Sequence, residues 1–300
     1  MSAPFPHAGE LAALGTASCW TVTALAFESA GRRVGSLAVN FIRLVMAIVL
    51  LAAFNWLLRG LPLPTDASVH NWVWLSLSGL VGFTVGDLCL FRAFVVVGAR
   101  VSMLLMAMVP PITAVFGWLV MGEVLSLRDL AGMVLTVTGV AWVVLERRKD
   151  AAGQTSRHPV GGVLLGLGGA GGQALGLVLS KYGMAGYSPF ASTQIRVFAG
   201  TVGFAVLFVV IGWWPRVRDA VANREAMVRT GVGAFFGPFL GVSLSLVAVT
   251  FTQAGVAATL MALVPVLIIA PAVLIQHERV SLRAVLGSVV AVVGSALLFL

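Results

Sequence analysis

Ten long apolar runs dominate this sequence of 300 residues. A helix needs about 20 mostly apolar residues to cross the hydrocarbon core of a bilayer. Charged residues make up only 10% of the chain, and the mean hydropathy is +1.03, whereas about 25% of residues are charged in ordinary globular domains. We therefore predict a polytopic membrane protein, and the composition excludes disordered, disulfide-rich, fibrous and nucleic-acid-binding classes. The predicted spans are 9–29, 34–58, 71–97, 101–121, 127–145, 160–180, 189–213, 230–251, 254–276 and 282–300.

The two halves of the chain resemble each other. A shift of 153 residues places Ile42-Arg43 on Ile195-Arg196, and a shift of 155 residues places Val109-Pro110 on Val264-Pro265. Apolar sequences match one another by chance at Leu and Val, but not repeatedly at Pro and Arg with nearly the same offset. The sequence therefore contains an internal repeat.

Each repeat contains five predicted spans, and an odd number makes the second copy enter the membrane from the opposite side. The predicted fold is an all-α integral membrane protein with ten transmembrane helices arranged as two inverted five-helix repeats. The predicted domains are 1–147 and 159–300, joined by a polar linker at 148–158. Inverted repeats build secondary transporters, whose substrate site lies near the bilayer midplane at the repeat interface.

The basic residues near span ends separate into two unequal groups. Cytoplasmic loops are enriched in Lys and Arg, so the larger group predicts the cytoplasmic side of the inner or plasma membrane, with both termini outside. The smaller group is Arg59, Arg128 and Lys181; the larger one is Arg32, Arg33, Arg100, Arg147, Arg148, Lys149, Arg157, Arg216, Arg218, Arg224, Arg229, Arg279 and Arg283.

Four charged residues lie away from the ends of the predicted spans: Arg43, Asp87, Arg92 and Arg196. Such groups cost about 2.5–3.5 kcal/mol at the centre of a span and are candidates for function. Arg43 and Asp87 lie at similar depth, which predicts an ion pair if spans two and three face each other. In one interpretation Asp87 accepts a proton or binds a cationic group and Arg43 tunes it; in the other, the pair only holds two helices together.

The repeat distinguishes these charges. Arg196 is the counterpart of Arg43, but Val242 is the counterpart of Asp87, and Arg92 also has a valine as its counterpart. A purely architectural pair would be expected in both halves, so the asymmetry favours a functional role for Asp87. We predict that Arg196 snorkels to the interface; contact with an anionic substrate is the alternative.

Trp20 and its counterpart Gln173 fall near the middle of spans one and six. A Trp at this depth is not an interfacial anchor, and its indole N–H needs a partner. Either it lines a wet cavity or it makes a hydrogen bond between helices. Further candidates for an adaptable pocket are Thr21, Thr23, Met103, Met106 and Met261, although ordinary packing is the favoured interpretation of the methionines.

Pro110 and Pro265 interrupt spans four and nine near mid-depth. Proline removes a backbone hydrogen bond and kinks a helix. These residues are therefore candidates for gating hinges, and static kinks are the alternative.

The segment from Phe91 to Trp142 resembles the EamA-type members of the drug/metabolite transporter superfamily. In that family an Ala-rich third span leads to a Pro in span four, a Gly-Glu at its end, and two spaced glycines in span five. The matching residues here are Ala93, Pro110, Gly122-Glu123, Gly132 and Gly139. The resemblance implies a ten-helix transporter and leaves the substrate open.

These observations favour a secondary transporter of a small organic metabolite, acting as an exporter by alternating access. The expected partners are a small-molecule substrate and the lipid bilayer, with proton coupling as a hypothesis; no oligomeric state is predicted. The alternatives are a membrane-embedded enzyme and a lipid-carrier flippase of the same fold. We predict no cofactor, catalytic residue or metal site, since the histidines lie at span ends or in loops and the two cysteines are isolated.

Overall fold

The computed structural model consists almost entirely of helices. It describes residues 7–121, 126–145, 148–149, 155–156, 159–184, 186–251, 260–275 and 280–297. The helices are α1 (Ala8–Val34), α2 (Ser36–Arg59), α3 (Val69–Gly79), α4 (Asp87–Leu105), α5 (Val109–Met121), α6 (Leu127–Leu145), α7 (Val160–Met184), α8 (Pro189–Ile211), α9 (Trp214–Ala222), α10 (Arg224–Ala234), α11 (Val242–Phe251), α12 (Val264–Leu267), α13 (Ile269–Leu274) and α14 (Leu282–Leu297).

Three irregular helical segments and one small strand pair connect these helices. Two π-helical segments, Leu80–Gly86 and Phe235–Gly241, join α3 to α4 and α10 to α11. A 3₁₀ turn, Met106–Met108, joins α4 to α5. The two-residue strands β1 (Arg148–Lys149) and β2 (Thr155–Ser156) pair antiparallel between α6 and α7.

The described residues form ten membrane spans. Six helical segments are long and apolar enough to cross a bilayer, and one of them, Val69–Phe116, is 48 residues long. Gly98 divides that segment into two spans, because its φ of 84° is not helical. Glycine adopts such a conformation readily. Three shorter apolar helices, Leu130–Leu145, Val264–Leu274 and Leu282–Leu297, complete the ten. The predicted all-α membrane fold is confirmed.

We number the spans in chain order, as span 1 to span 10. Spans 1, 2, 5, 6, 7 and 10 are α1, α2, α6, α7, α8 and α14. Span 3 runs from α3 to Val97, and span 4 from Ala99 to the end of α5. Span 8 is α10, the second π-helical segment and α11, and span 9 covers 260–275. The short helix α9, between spans 7 and 8, was not predicted.

Span packing follows the internal repeat. Span 1 packs against span 8, and its counterpart, span 6, packs against span 3. Span 2 packs against its own counterpart, span 7, and span 5 packs against span 10 in the same way. Exchanging the two repeats therefore leaves this set of neighbours unchanged, as expected for two halves related by a pseudo-two-fold axis.

Spans 3 and 6 approach each other through glycines. A Cβ added at Gly172 would lie 2.5 Å from the Cα of Gly86, and one added at Gly176 would lie 3.1 Å from the Cα of Gly82. Glycines four residues apart share one face of a helix and let two backbones come close together in a membrane. This close approach brings spans 3 and 6 together beside the site described below.

Candidate functional site

A cavity of about 170 Å³ lies at the interface between the two repeats. Its wall takes residues from spans 1, 2, 3 and 4 of the first repeat and from spans 6, 7, 8 and 9 of the second. Most of the wall is apolar, with aromatic rings and methionines prominent. Its polar side chains are Trp20, Thr23, Arg43, Asp87, Gln173, Arg196 and Ser245.

Arg43 and Asp87 form the predicted ion pair across spans 2 and 3. An Nη of Arg43 donates to the Asp87 carboxylate, and each side chain is only 4% exposed. Asn40 forms hydrogen bonds with both residues. Its Oδ1 accepts from Nε of Arg43 at 3.0 Å, and its Nδ2 donates to the backbone carbonyl of Asp87 at 2.9 Å. The equal depth of the two charges in the sequence thus corresponds to direct contact.

Gln173 gives Asp87 a second donor. Its Nε2 lies 3.0 Å from Oδ1 of Asp87, so the carboxylate accepts from both repeats at once. Gln173 reaches this position because Gly86 and Gly172 allow spans 3 and 6 to approach closely. The sequence marked Gln173 only as the counterpart of Trp20, and its contact with Asp87 was not predicted.

Arg196 faces the cavity and does not reach the membrane interface. It is 3% exposed and lies in the cavity wall, so the predicted snorkelling is wrong. The cause is the packing of span 7: the backbone of Arg196 lies against Gly79, and an Nη lies beside Gly82. Spans 3 and 7 thus hold the residue inside the bundle.

Phe83 lies close to both guanidinium groups. Its ring centroid is 5.6 Å from Cζ of Arg43 and 5.0 Å from Cζ of Arg196. A cation placed over an aromatic face is attracted by the ring quadrupole. The ring of Phe83 therefore attracts both buried guanidinium groups. Phe83 was not predicted, because one Phe in an apolar run carries no distinguishing signal.

Trp20 lies in the cavity wall. This position agrees with the first of the two interpretations from the sequence, that the residue lines a cavity. A Cβ added at Gly241 would touch its indole ring at 3.0 Å, so span 8 supports Trp20 as span 3 supports Gln173. Thr23, Met103, Met106 and Met261 also line the cavity. Thr21 does not; it is buried and donates to the carbonyl of Ala17 instead.

The two prolines occupy equivalent places. Pro110 and Pro265 both line the cavity, each near the start of a helix, α5 and α12. A proline early in a helix costs fewer backbone hydrogen bonds than one in the interior, since the first N–H groups of a helix have no intrahelical partner. The structure thus brings both hinge candidates to the site.

Arg92 is the predicted site residue that the structure does not bring to the cavity. It belongs to span 3, as Asp87 does, but its side chain is exposed and it is absent from the cavity wall. Five residues of α-helix rotate a side chain by about 140°. Asp87 therefore points into the bundle and Arg92 points away from it.

Glu28 is a buried acid that the prediction did not include among the candidates. It is 4% exposed and its Oε2 accepts the backbone N–H of Ala99 at 3.1 Å, while Oε1 accepts from Arg32. Ala99 begins span 4 just after the break at Gly98, where unpaired N–H groups attract a carboxylate. A signal was available in the spacing of Glu28 and Arg32, four residues apart on one helix.

Comparison with known proteins identifies the family. The sequence profile of the EamA-like transporter family matches residues 7–145 and 160–300. The chain belongs to the EamA-like transporter family. A search of curated proteins finds no significant match to the sequence.

The fold of this EamA-like protein also occurs among solved structures. One crystal structure aligns over 96% of this chain and 95% of its own, with a TM-score of 0.65 and 20% sequence identity. At that identity the likeness shows the fold alone. The two matched regions of the family profile coincide with the five-span halves, so the cavity of this EamA-like protein lies between its two family units.

Among the described residues, no group of three or more His, Cys, Asp and Glu side chains lies close enough together to hold a metal ion. The chemistry available at the cavity of this EamA-like protein is that of two guanidinium groups, one carboxylate, an amide and hydroxyl groups. These groups can bind and orient a polar solute, and the carboxylate can exchange a proton.

Proposed function

We propose that this protein is a secondary transporter that exports a small organic metabolite by alternating access. The observation that carries the proposal is the cavity between the repeats, with walls from both halves and polar groups converging on its centre. Secondary transporters with inverted repeats bind substrate in that position, and one repeat then rocks against the other. Membership of the EamA-like transporter family supports the same general function.

Asp87 is the proposed coupling residue. Among the described residues it is the acidic side chain of the cavity wall, and its contacts with Arg43 and Gln173 involve both repeats. A proton on Asp87 would weaken both contacts, since a neutral carboxyl attracts Arg43 less strongly than a carboxylate does. Protonation would therefore loosen the junction of the two halves, which is what coupling a proton to a rocking motion requires.

Pro110 and Pro265 are the proposed hinges. Each lies where a cavity-lining helix begins, and they correspond to each other in the repeat. The first N–H groups of a helix have no intrahelical partners, so the backbone at a helix start is held by fewer hydrogen bonds than in the interior and is easier to bend. Bending at both would let spans 4 and 9 open the cavity on opposite sides of the membrane.

The proposed location is the inner or plasma membrane, with the basic loops in the cytoplasm and both termini outside. The excess of Lys and Arg on one side supports this orientation. A reporter enzyme fused after Leu300 tests it, since a reporter that is active only in the cytoplasm should remain silent. Cytoplasmic activity of that fusion would reverse the orientation.

The test of transport uses purified protein in proteoliposomes. Solutes that raise its melting temperature in detergent are loaded and their efflux is followed with and without a pH gradient. We expect the wild-type protein to accelerate efflux of at least one solute, recovered chemically unchanged, and to respond to the gradient. An unmodified solute also distinguishes transport from a membrane enzyme.

Asp87→Asn is the matched variant for coupling. Asn keeps the size of the side chain and one acceptor, but it leaves Arg43 without an ion-pair partner and lowers stability. The comparison therefore uses protein shown to be folded and inserted, in which the response to the pH gradient should disappear. Proton-coupled transport that is unchanged in Asp87→Asn would exclude Asp87 as the coupling residue. If folded and inserted wild-type protein accelerates the efflux of no tested solute, the proposed transport function itself is contradicted.

A further inference from the structure

Arg196 is a buried charge in the cavity wall without a polar partner. It is 3% exposed, its Nε makes no hydrogen bond, and in the described part of the chain no ion pair or hydrogen bond involves its side chain. An isolated buried cation is costly, and a bound group of opposite charge would offset that cost.

Arg43, at the equivalent position of the other repeat, has hydrogen-bond partners for its guanidinium group. It donates to Asp87 and Asn40. Asp87 attracts Arg196 only at longer range, and its acceptor oxygens already receive Arg43 and Gln173. In the second repeat the counterpart of Asp87 is Val242, which lines the same cavity as Arg196 and has no side-chain acceptor.

The charges of the cavity wall add up to an excess of one positive charge. Its described side chains include two arginines and one aspartate. The aspartate already accepts two donors, so it offers little to the ammonium group of an added solute. The unpaired positive charge therefore selects for a single negative charge on the solute and against a cation.

The rest of the wall is suited to an apolar body. The ring of Phe83 lies beside Arg196. Elsewhere the wall carries other aromatic side chains and the methionines Met103, Met106 and Met261. A dry protein cavity of about 150 Å³ accommodates benzene, so about 170 Å³ accommodates one ring with a short substituent. Methionine adapts to rings of different shapes.

We propose that the cavity binds a small organic monoanion, with a carboxylate on Arg196 and an apolar, ring-sized body among the aromatic and methionine side chains. The planar guanidinium matches a carboxylate through two parallel hydrogen bonds. This inference rests on the proposed transport function only in calling the ligand a transported substrate; the binding itself requires no transport.

The first test compares ring compounds of nearly the same shape that differ in charge. Binding of labelled benzoate to the purified protein in detergent is competed with unlabelled benzoate, benzamide and benzamidine, and 3-phenylpropanoate is compared with its amide and with L-phenylalanine. We expect each carboxylate to bind about tenfold or more tightly than its amide, because a charged pair replaces a neutral hydrogen bond. Equal binding of amide and carboxylate, or preference for benzamidine or L-phenylalanine, would overturn the proposal.

The second test changes the partner on the protein. Arg196→Gln should lower benzoate affinity about tenfold or more, whereas Arg92→Gln, which removes an exposed arginine of the same membrane region, should leave it unchanged. Because Arg196→Gln removes an unpaired buried charge, its melting temperature should equal or exceed that of the wild type. A folded Arg196→Gln protein that binds benzoate as the wild type does would refute the assignment.

Val242→Asp provides an internal competitor. By the repeat correspondence with Asp87, its carboxylate should pair with Arg196 and reduce benzoate binding as strongly as Arg196→Gln does. A folded Val242→Asp protein that binds benzoate with unchanged affinity would contradict the proposal; if this variant does not fold, Arg196→Gln decides alone.

Flux measurements separate this inference from the transport function. Arg196-dependent binding of benzoate without any benzoate efflux from proteoliposomes would support the binding site and contradict transport of this ligand class. Efflux of other solutes, with no preference for carboxylates in binding, would support transport and overturn the monoanion proposal.

Discussion

The Arg43–Asp87 pair gives a quantitative prediction about stability. Each side chain is 4% exposed, so removing one partner leaves the other as a buried charge. Single truncations of this kind cost about 3–5 kcal/mol, while apolar replacement of both partners is often neutral. We therefore expect Arg43→Met and Asp87→Leu each to destabilise the protein by about 3–5 kcal/mol, and the double variant to be more stable than either single variant.

Unfolding by sodium dodecyl sulfate in mixed micelles, followed by tryptophan fluorescence, measures these free energies. Arg92→Met serves as the control, because exposed substitutions change stability by about 0.5 kcal/mol or less. The coupling energy is the cost of the double variant minus the two single costs. If the two single costs simply add in the double variant, Arg43 and Asp87 do not stabilise each other and the reasoning from burial is refuted.

Three further predictions test other parts of the structure. Gly172→Ala should strongly reduce the yield of folded protein, because its Cβ would lie 2.5 Å from a span 3 backbone atom, whereas Gly171→Ala, with nothing within 4 Å, should not; equal yields would contradict this packing. Glu28→Gln should cost about 1–3 kcal/mol in the same detergent unfolding experiment, and no change would mean that its carboxylate does not hold the start of span 4. The hydrogen bond from Tyr187 lowers the pKa of Asp66, so the stability from this carboxylate is present above the ordinary Asp pKa and is lost as pH falls through the lowered value. Tyr187→Phe should flatten thermal stability between neutral pH and about pH 3, and an unchanged pH profile would exclude this contribution.

The span count and the central ion pair could be predicted from the sequence, because both depend on position along a helix. Apolar length defines a span, and equal distance from one membrane face placed Arg43 beside Asp87. The sequence left open whether spans 2 and 3 face each other. Consecutive elements are usually neighbours in space, and the structure shows the contact.

The directions in which Arg92 and Arg196 point could not be predicted in this way, because they depend on which side of a helix faces the bundle. In a membrane, lipid-facing and protein-facing sides are both apolar, so the hydrophobic pattern does not reveal the direction of a side chain. Arg196 further depends on the contact of span 7 with Gly79 and Gly82, residues more than a hundred positions away in the chain. Such contacts are visible only in three dimensions.

The two π-helical segments have a consequence for helical phase. A π turn contains more residues than the 3.6 of an α-helical turn, so the residues after Leu80–Gly86 are rotated relative to a continuous α-helix. A helical wheel drawn through span 3 at about 100° per residue would therefore assign Asp87 to the wrong direction. The second π-helical segment, Phe235–Gly241, ends just before Val242 as the first ends just before Asp87, so the two positions have the same helical phase although only one carries a charge.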